Sequence, residues 1–226
     1  MTKRNALLLG ATGLVGSRCL EQLLESDLYS RVWVLSRRAL EKKHEKLSVA
    51  VVDLENVSVD ELPREFLEVD DVFCALGTTK KKAGSQERFA RIDFGIPLEV
   101  ARAARQAGAR RFVVVSSVGA DPESPVHYLR IKGDLERALG KIGFEALHIL
   151  RPSMLEGPRD EKRTGEDIGR VLGRMVGPLM RGALRRYRPI QAETVAWAML
   201  GAATRDQGGN VCVWESESLS NLARGI

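Results

Sequence analysis

The chain has 226 residues, 44% of them hydrophobic and 29% charged, with a formal net charge of +5. That length allows one domain with a small appendage, and the apolar content supports a core and excludes a disordered or fibrous chain. The cationic excess favours anionic small molecules, a membrane surface or nucleic acid; the three Trp and three Tyr follow no RNA-stacking pattern and no zinc-finger spacing occurs, so no nucleic acid is expected.

Residues 5–9 form a short apolar run ending at Gly10, and residues 14–26 carry apolar positions at helical spacing. Further apolar runs at 32–35, 47–52, 71–76, 111–116 and 145–150 complete a set of six expected strands. Helical stretches fall between the later ones: a short one over 59–67, a long one over 86–107, and one over 128–142. Short apolar strands alternating with helices are parallel βαβ units buried on both faces. Right-handed crossovers then lead to an α/β doubly wound parallel sheet, a Rossmann architecture. Past Arg151-Pro152 the alternation loosens into a charged loop over 156–165 and a basic amphipathic helix over 167–186, broken near Gly177-Pro178. A helix over 193–203 and a strand over 211–214 follow. Residues 1–226 read as a single domain, with 153–226 contributing a small substrate cap.

The first nine residues run from basic to apolar like the start of a signal peptide, but Gly10 ends the run too early. Cys19, Cys74 and Cys212 cannot form a closed disulfide set and read as reduced thiols, so a cytoplasmic protein is expected. No run of 18 apolar residues occurs, and no transmembrane segment is expected. No His, Cys and carboxylate cluster has metal-ligand spacing, so no metal is expected.

Gly10-Ala11-Thr12-Gly13-Leu14-Val15-Gly16 joins the first strand to the first helix. Glycines here permit a tight turn and close backbone approach to a pyrophosphate, and the helix N-terminus offers free N–H groups. Gly10, Thr12, Gly13, Leu14, Val15 and Gly16 are therefore expected to cradle a dinucleotide. The second strand ends in Ser36, Arg37 and Arg38, where NAD binders place a carboxylate for the ribose 2′-OH. Two guanidinium groups and a hydroxyl suit a dianionic 2′-phosphate, which favours NADP(H). Asp53 and Leu54 after the third strand, and Leu76, Gly77 and Thr78 after the fourth, fall where loops line the nucleotide crevice. Read alone, Asp53 suits a helix N-cap equally well.

Ser116-Ser117 ends the fifth strand, and Tyr128 and Lys132 lie one turn apart on the helix that follows. A phenol needs a nearby cation to exchange protons near neutrality, and Lys132 can supply it while a serine hydroxyl holds a substrate oxygen. With these residues the sequence resembles the atypical branch of the short-chain dehydrogenase/reductase superfamily. It is closest to the Tat-interacting-protein oxidoreductase family, through Gly77-Thr78-Thr79-x-x-Lys82-Ala83-Gly84, Ser116-Ser117-x-Gly119-Ala120-Asp121, Tyr128-x-x-x-Lys132-Gly133 and Arg151-Pro152. The resemblance implies NADPH binding, with Tyr128 as acid/base. It implies that Lys132 contacts the nicotinamide ribose and lowers the tyrosine pKa, and that Ser117, rather than Ser116, orients a carbonyl. It also implies that the stretch from Arg151 to Leu155, with Pro152 and Leu155 at the cofactor, packs along the nicotinamide. Where many members of the superfamily carry an Asn for a water relay, this sequence has Asp93.

The expected activity is hydride transfer between NADP(H) and a carbonyl/alcohol pair in a small-molecule substrate. The alternatives are an NADPH-binding sensor acting through a protein partner, which the resemblance also supports, and a quinone-type reductase that does without Tyr128. Lys80-Lys81-Lys82 after the fourth strand could steer an anionic ligand, and the arginine-rich 181–188 segment could meet a membrane surface or acidic partner. His44, His127 and His148 and the thiol of Cys74 read as structural.

Overall fold

The computed structural model describes residues 3–157, 186–205 and 210–224. Seven strands form one sheet: β1 (Arg4–Leu9), β2 (Tyr29–Ser36), β3 (Leu47–Val51), β4 (Asp71–Cys74), β5 (Arg111–Val115), β6 (Ala146–Arg151) and β9 (Asn210–Glu215). Their order is β3-β2-β1-β4-β5-β6-β9 and every pairing is parallel. A second, two-stranded sheet pairs β7 (Leu155–Glu156) with β8 (Ile190–Gln191).

The strands are apolar on both sides because helices cover both faces. Ala6 and Leu8 of β1 point into one core with Phe73 and Val113, whereas Leu7 and Leu9 point into the other with Val72 and Phe112. The first core is closed by α1 (Leu14–Glu25), and the second lies under the segment that follows β3 and the helices between β4 and β6. These are α2 (Lys80–Ala83), α3 (Gln86–Ala90), α4 (Ile96–Gln106) and α5 (His127–Leu139). The sheet is the Rossmann form expected, with its switch point between β1 and β4, where strands run outward in opposite orders and a crevice opens.

Several boundaries differ from expectation for identifiable reasons. The 59–67 stretch is two single 3₁₀ turns, Val59–Glu61 and Arg64–Phe66, because Pro63 lacks a donor and disfavours helix at Leu62. β4 stops at Cys74, two residues early, because its neighbour β1 ends where Gly10 turns away at φ +83°. The long 86–107 helix runs as α3, one π turn over Arg91–Gly95, and α4. Pro97 cannot donate to the Asp93 carbonyl, which is where the regular ladder gives way.

The 153–226 tail is not all appendage. α6 (Ala192–Ala203) is buried almost throughout and packs with α1, and β9 extends the main sheet beside β6. A helix absent from the sequence reading, α7 (Ser216–Ala223), closes the same core through Leu219 and Leu222. Most of the expected 156–165 loop, nearly all of the 167–186 helix and residues 181–185 of the arginine-rich segment lie outside the described residues.

Candidate active site

The loop between β1 and α1 is built around two glycines that admit no side chain. A Cβ on Gly10 would lie 2.6 Å from the Ala75 carbonyl oxygen, and one on Gly16 would lie 2.0 Å from that of Gly10. Gly10 therefore seats the loop against the end of β4, and Gly16 lets α1 start tight against the loop. Gly13 caps α1 with no side-chain hydrogen bond and no acidic residue in the first turn. That leaves the amides of Leu14 and Val15 and the positive helix end facing the crevice, beside exposed Thr12. Bare backbone donors with no Cβ in the way fit a pyrophosphate.

At the next strand end, Arg37 and Arg38 are exposed and Ser36 is half-buried. The Arg38 backbone donates to Ser36 Oγ at 3.3 Å. Arg37 is not free: its Nη1 lies 3.0 Å from Glu55 Oε1. Asp53 organises its own turn, its Oδ1 accepting from the Glu55 amide at 3.1 Å and its Oδ2 from the Asn56 side chain at 2.9 Å. Leu54 is buried, and its carbonyl accepts from Arg91 at 2.7 Å.

Gly77 and Thr78 meet the catalytic candidates. The Thr78 amide donates to Asp93 Oδ2 at 2.9 Å, and Asp93 Oδ1 lies 2.9 Å from Lys132 Nζ. Side-chain exposure is 4% for Lys132 and nil for Asp93. Burial works to lower the Lys132 ammonium, but the Asp93 carboxylate and then the Tyr128 phenol outweigh it, so its pKa stands above the ordinary lysine value. Leu76 is half-buried at the edge of this loop. Cys74, beneath it, has its thiol pushed up to about 11 by burial. Lys80 to Lys82 form the single turn of α2, capped by Thr79 Oγ1 accepting from the Lys82 amide.

Tyr128 stands in the first turn of α5, 39% exposed, with its ring 5.9 Å from that of Phe89. Its neighbour His127 faces the same Phe89 ring at 5.8 Å. The two serines separate sharply. Ser116 is buried and hydrogen-bonded to Glu136, which also pairs with Arg151 at 2.6 Å. Ser117 is half-buried, its Oγ only 3.4 Å from the Val118 carbonyl. The loop carrying Ser117 is locked to α5 through Gly133, where a Cβ would sit 2.3 Å from the Asp121 carbonyl carbon. Pro152 is buried after β6, and Leu155 packs against the core that holds α1. The structure thus gathers Gly77, Thr78, Asp93, Tyr128 and Lys132 into one cluster beside the glycine loop. In the sequence Asp93 stands out only as a departure from the superfamily's Asn and Glu55 not at all; Asp93's position one strand away from a motif lysine is the available signal.

Among the described residues no helix is long and apolar enough to cross a membrane. A family model described as NAD(P)H-binding matches residues 10–202. The protein fmp52 of Aspergillus niger, named as mitochondrial, is 36% identical over 92% of this chain and 90% of its own length. Protein HTATIP2 of Rattus norvegicus is 32% identical over 99% of this chain and 91% of its own length. In fold, MoeE5 in complex with UDP-glucose and NAD superposes with a TM-score of 0.69 at 22% identity, over 93% of this chain and 76% of that one. The fungal names correct the cytoplasmic expectation, since relatives of this similarity are named as mitochondrial. The expectation rested on unpaired cysteines, which do not separate one reducing compartment from another. The glycine cradle at the switch point, the extent of the family match and these near full-length similarities lead to one conclusion: the chain belongs to the NAD(P)H-binding family, in its Tat-interacting-protein oxidoreductase group.

Proposed function

We propose that this protein is an NADP-dependent oxidoreductase acting on a carbonyl/alcohol pair. The observation that carries the reading is the placement of Tyr128 and Lys132 on one face of α5, with Lys132 buried against the Gly77-Thr78 loop and Tyr128 open to solvent. When bound, NADPH supplies the hydride. Gly10, Thr12, Gly13, Leu14, Val15 and Gly16 hold the pyrophosphate, Asp53, Leu54 and Leu76 flank the adenosine half, and Ser36, Arg37 and Arg38 receive the 2′-phosphate. Gly77, Thr78, Pro152 and Leu155 line the nicotinamide end. Ser117 donates a hydrogen bond to the substrate oxygen, Tyr128 gives that oxygen its proton, and Lys132 holds the ribose and the phenol with one ammonium. Such a proton transfer contributes roughly 10²–10⁴ in rate. Of the 153–226 stretch, β9, α6 and α7 belong to the main sheet and core, and only the part outside them would form the small substrate cap.

A second reading, an NADPH-binding regulator with little turnover acting through a protein partner, is favoured by one observation. The carboxylate on Lys132 neutralises the charge that the phenol would otherwise feel. The experiment is NADPH and NADH titration by calorimetry, combined with NADPH oxidation against a panel of aldehydes, ketones and quinones. Tighter NADPH binding with carbonyl reduction supports the enzyme; NADPH binding with no reduction supports the regulator. Equal affinity for the two nucleotides removes the NADP assignment.

A further inference from the structure

Two arginines converge on Glu55, whose side chain is 13% exposed. Arg88 Nε lies 2.6 Å from Oε2 and its Nη2 lies 3.2 Å from Oε1, a bidentate grip. Arg37 Nη1 shares Oε1 at 3.0 Å. The cluster joins the turn after β2, the loop after β3 and helix α3, whose first turn is capped by Ser85. Arg88, ahead of the opposing effect of burial, and then Arg37 hold the Glu55 carboxyl below its ordinary range. At neutral pH a carboxylate therefore occupies one of the two guanidinium groups assigned above to the 2′-phosphate.

We propose that Glu55 tunes the choice between NADPH and NADH: its carboxylate competes with the ribose 2′-phosphate for Arg37, and Arg88 weakens that competition by drawing on the same carboxylate. The inference rests on the assignment of Arg37 and Arg38 to the 2′-phosphate. NADH lacks that phosphate, so its affinity is insensitive to the competition. A purely structural staple would instead move both nucleotides together, along with the melting temperature.

The test is calorimetric titration of the full chain with each nucleotide. Glu55→Gln keeps the side-chain shape without the charge and is expected to tighten NADPH by about two- to fivefold, the span of a solvent-reached ion pair, with NADH unchanged. Arg88→Met is expected to weaken NADPH by a similar factor, and that loss is expected to vanish in Glu55→Gln/Arg88→Met. Weaker NADPH binding by Glu55→Gln, equal changes for both nucleotides, or an Arg88→Met loss that persists in the double variant each overturn the competition. Arg37→Ala separates the two levels. If it leaves the nucleotide preference of the wild type unaltered, the 2′-phosphate assignment has failed and this inference falls with it. If it reduces the preference while Glu55→Gln does not raise it, only the role of Glu55 falls.

Discussion

Lys132 and Asp93 form an ion pair closed off from solvent, with Nζ 2.9 Å from Oδ1 and the other carboxylate oxygen held by the Thr78 amide. Removing one partner of such a pair strands the other in a medium that solvates it poorly. Asp93→Ala is expected to lower stability by about 3–5 kcal/mol in urea denaturation. Asp93→Ala/Lys132→Met is expected to cost less than the sum of the two single changes. Additive losses would mean that the two groups do not support one another.

Tyr128→Phe removes a hydroxyl and keeps the ring against Phe89. The fold and NADPH affinity are expected to hold, while carbonyl reduction falls by about 10²–10⁴. Steady-state rates with a reducible carbonyl, beside a nucleotide titration, check this. Reduction of quinones at the same rate by both proteins would mean hydride transfer without a proton donor at this position.

The glycines of the first loop are not equivalent. Gly16→Ala forces a methyl onto the Gly10 carbonyl and is expected to destabilise by about 1–3 kcal/mol and to weaken NADPH and NADH alike. Gly13→Ala meets its nearest neighbour at 3.2 Å and is expected to be milder on thermal stability. Thermal melts and titrations on both variants check the ranking; similar losses for the two would contradict it.

His148 is fully buried on β6, where its Nδ1 accepts from Trp214 Nε1 at 3.2 Å. Burial, then Arg111 and Arg205, push the imidazole down to about 4 from the ordinary histidine value of 6.5. Below 6.5 the unfolded chain gains a proton that the native state refuses. The stability present above that pH is therefore lost as pH falls towards 4, by up to about 3 kcal/mol. Urea denaturation between pH 7 and 4 should show this slope, and His148→Phe should flatten it. An unchanged slope in the variant would assign the acid sensitivity to other groups.

The main sheet and its switch point were legible because both depend on local patterns. Apolar runs such as Ala6–Leu9 mark strands buried on two faces, and Gly10 and Gly16 mark a turn that no other residue fits. What escaped was set by partners distant in the chain. The serine-rich α7 has little helical signal of its own; Leu219 and Leu222 in the core and the Ser153–Ser216 hydrogen bonds hold it in place. Glu55 reads as an ordinary surface acid until the fold brings Arg37 and Arg88 to it from either side in sequence. Asp93 looked like a substitution at a relay position, and only the packing of its helix against α5 makes it the partner of Lys132.

The π turn over Arg91–Gly95 lodges one surplus residue in an otherwise continuous rod. One residue turns a helix by roughly 100°, so the faces before and after the turn are out of phase. On the early side, Phe89 braces the ring of Tyr128; within the widened turn, Asp93 reaches Lys132. A single rod serves two groups that stand one turn apart on its neighbour. Phe89 and Asp93 stand four residues apart and share a face with or without the irregularity; what the surplus residue resets is the phase of α4, which turns Ile96, Val100 and Ala104 into the second core.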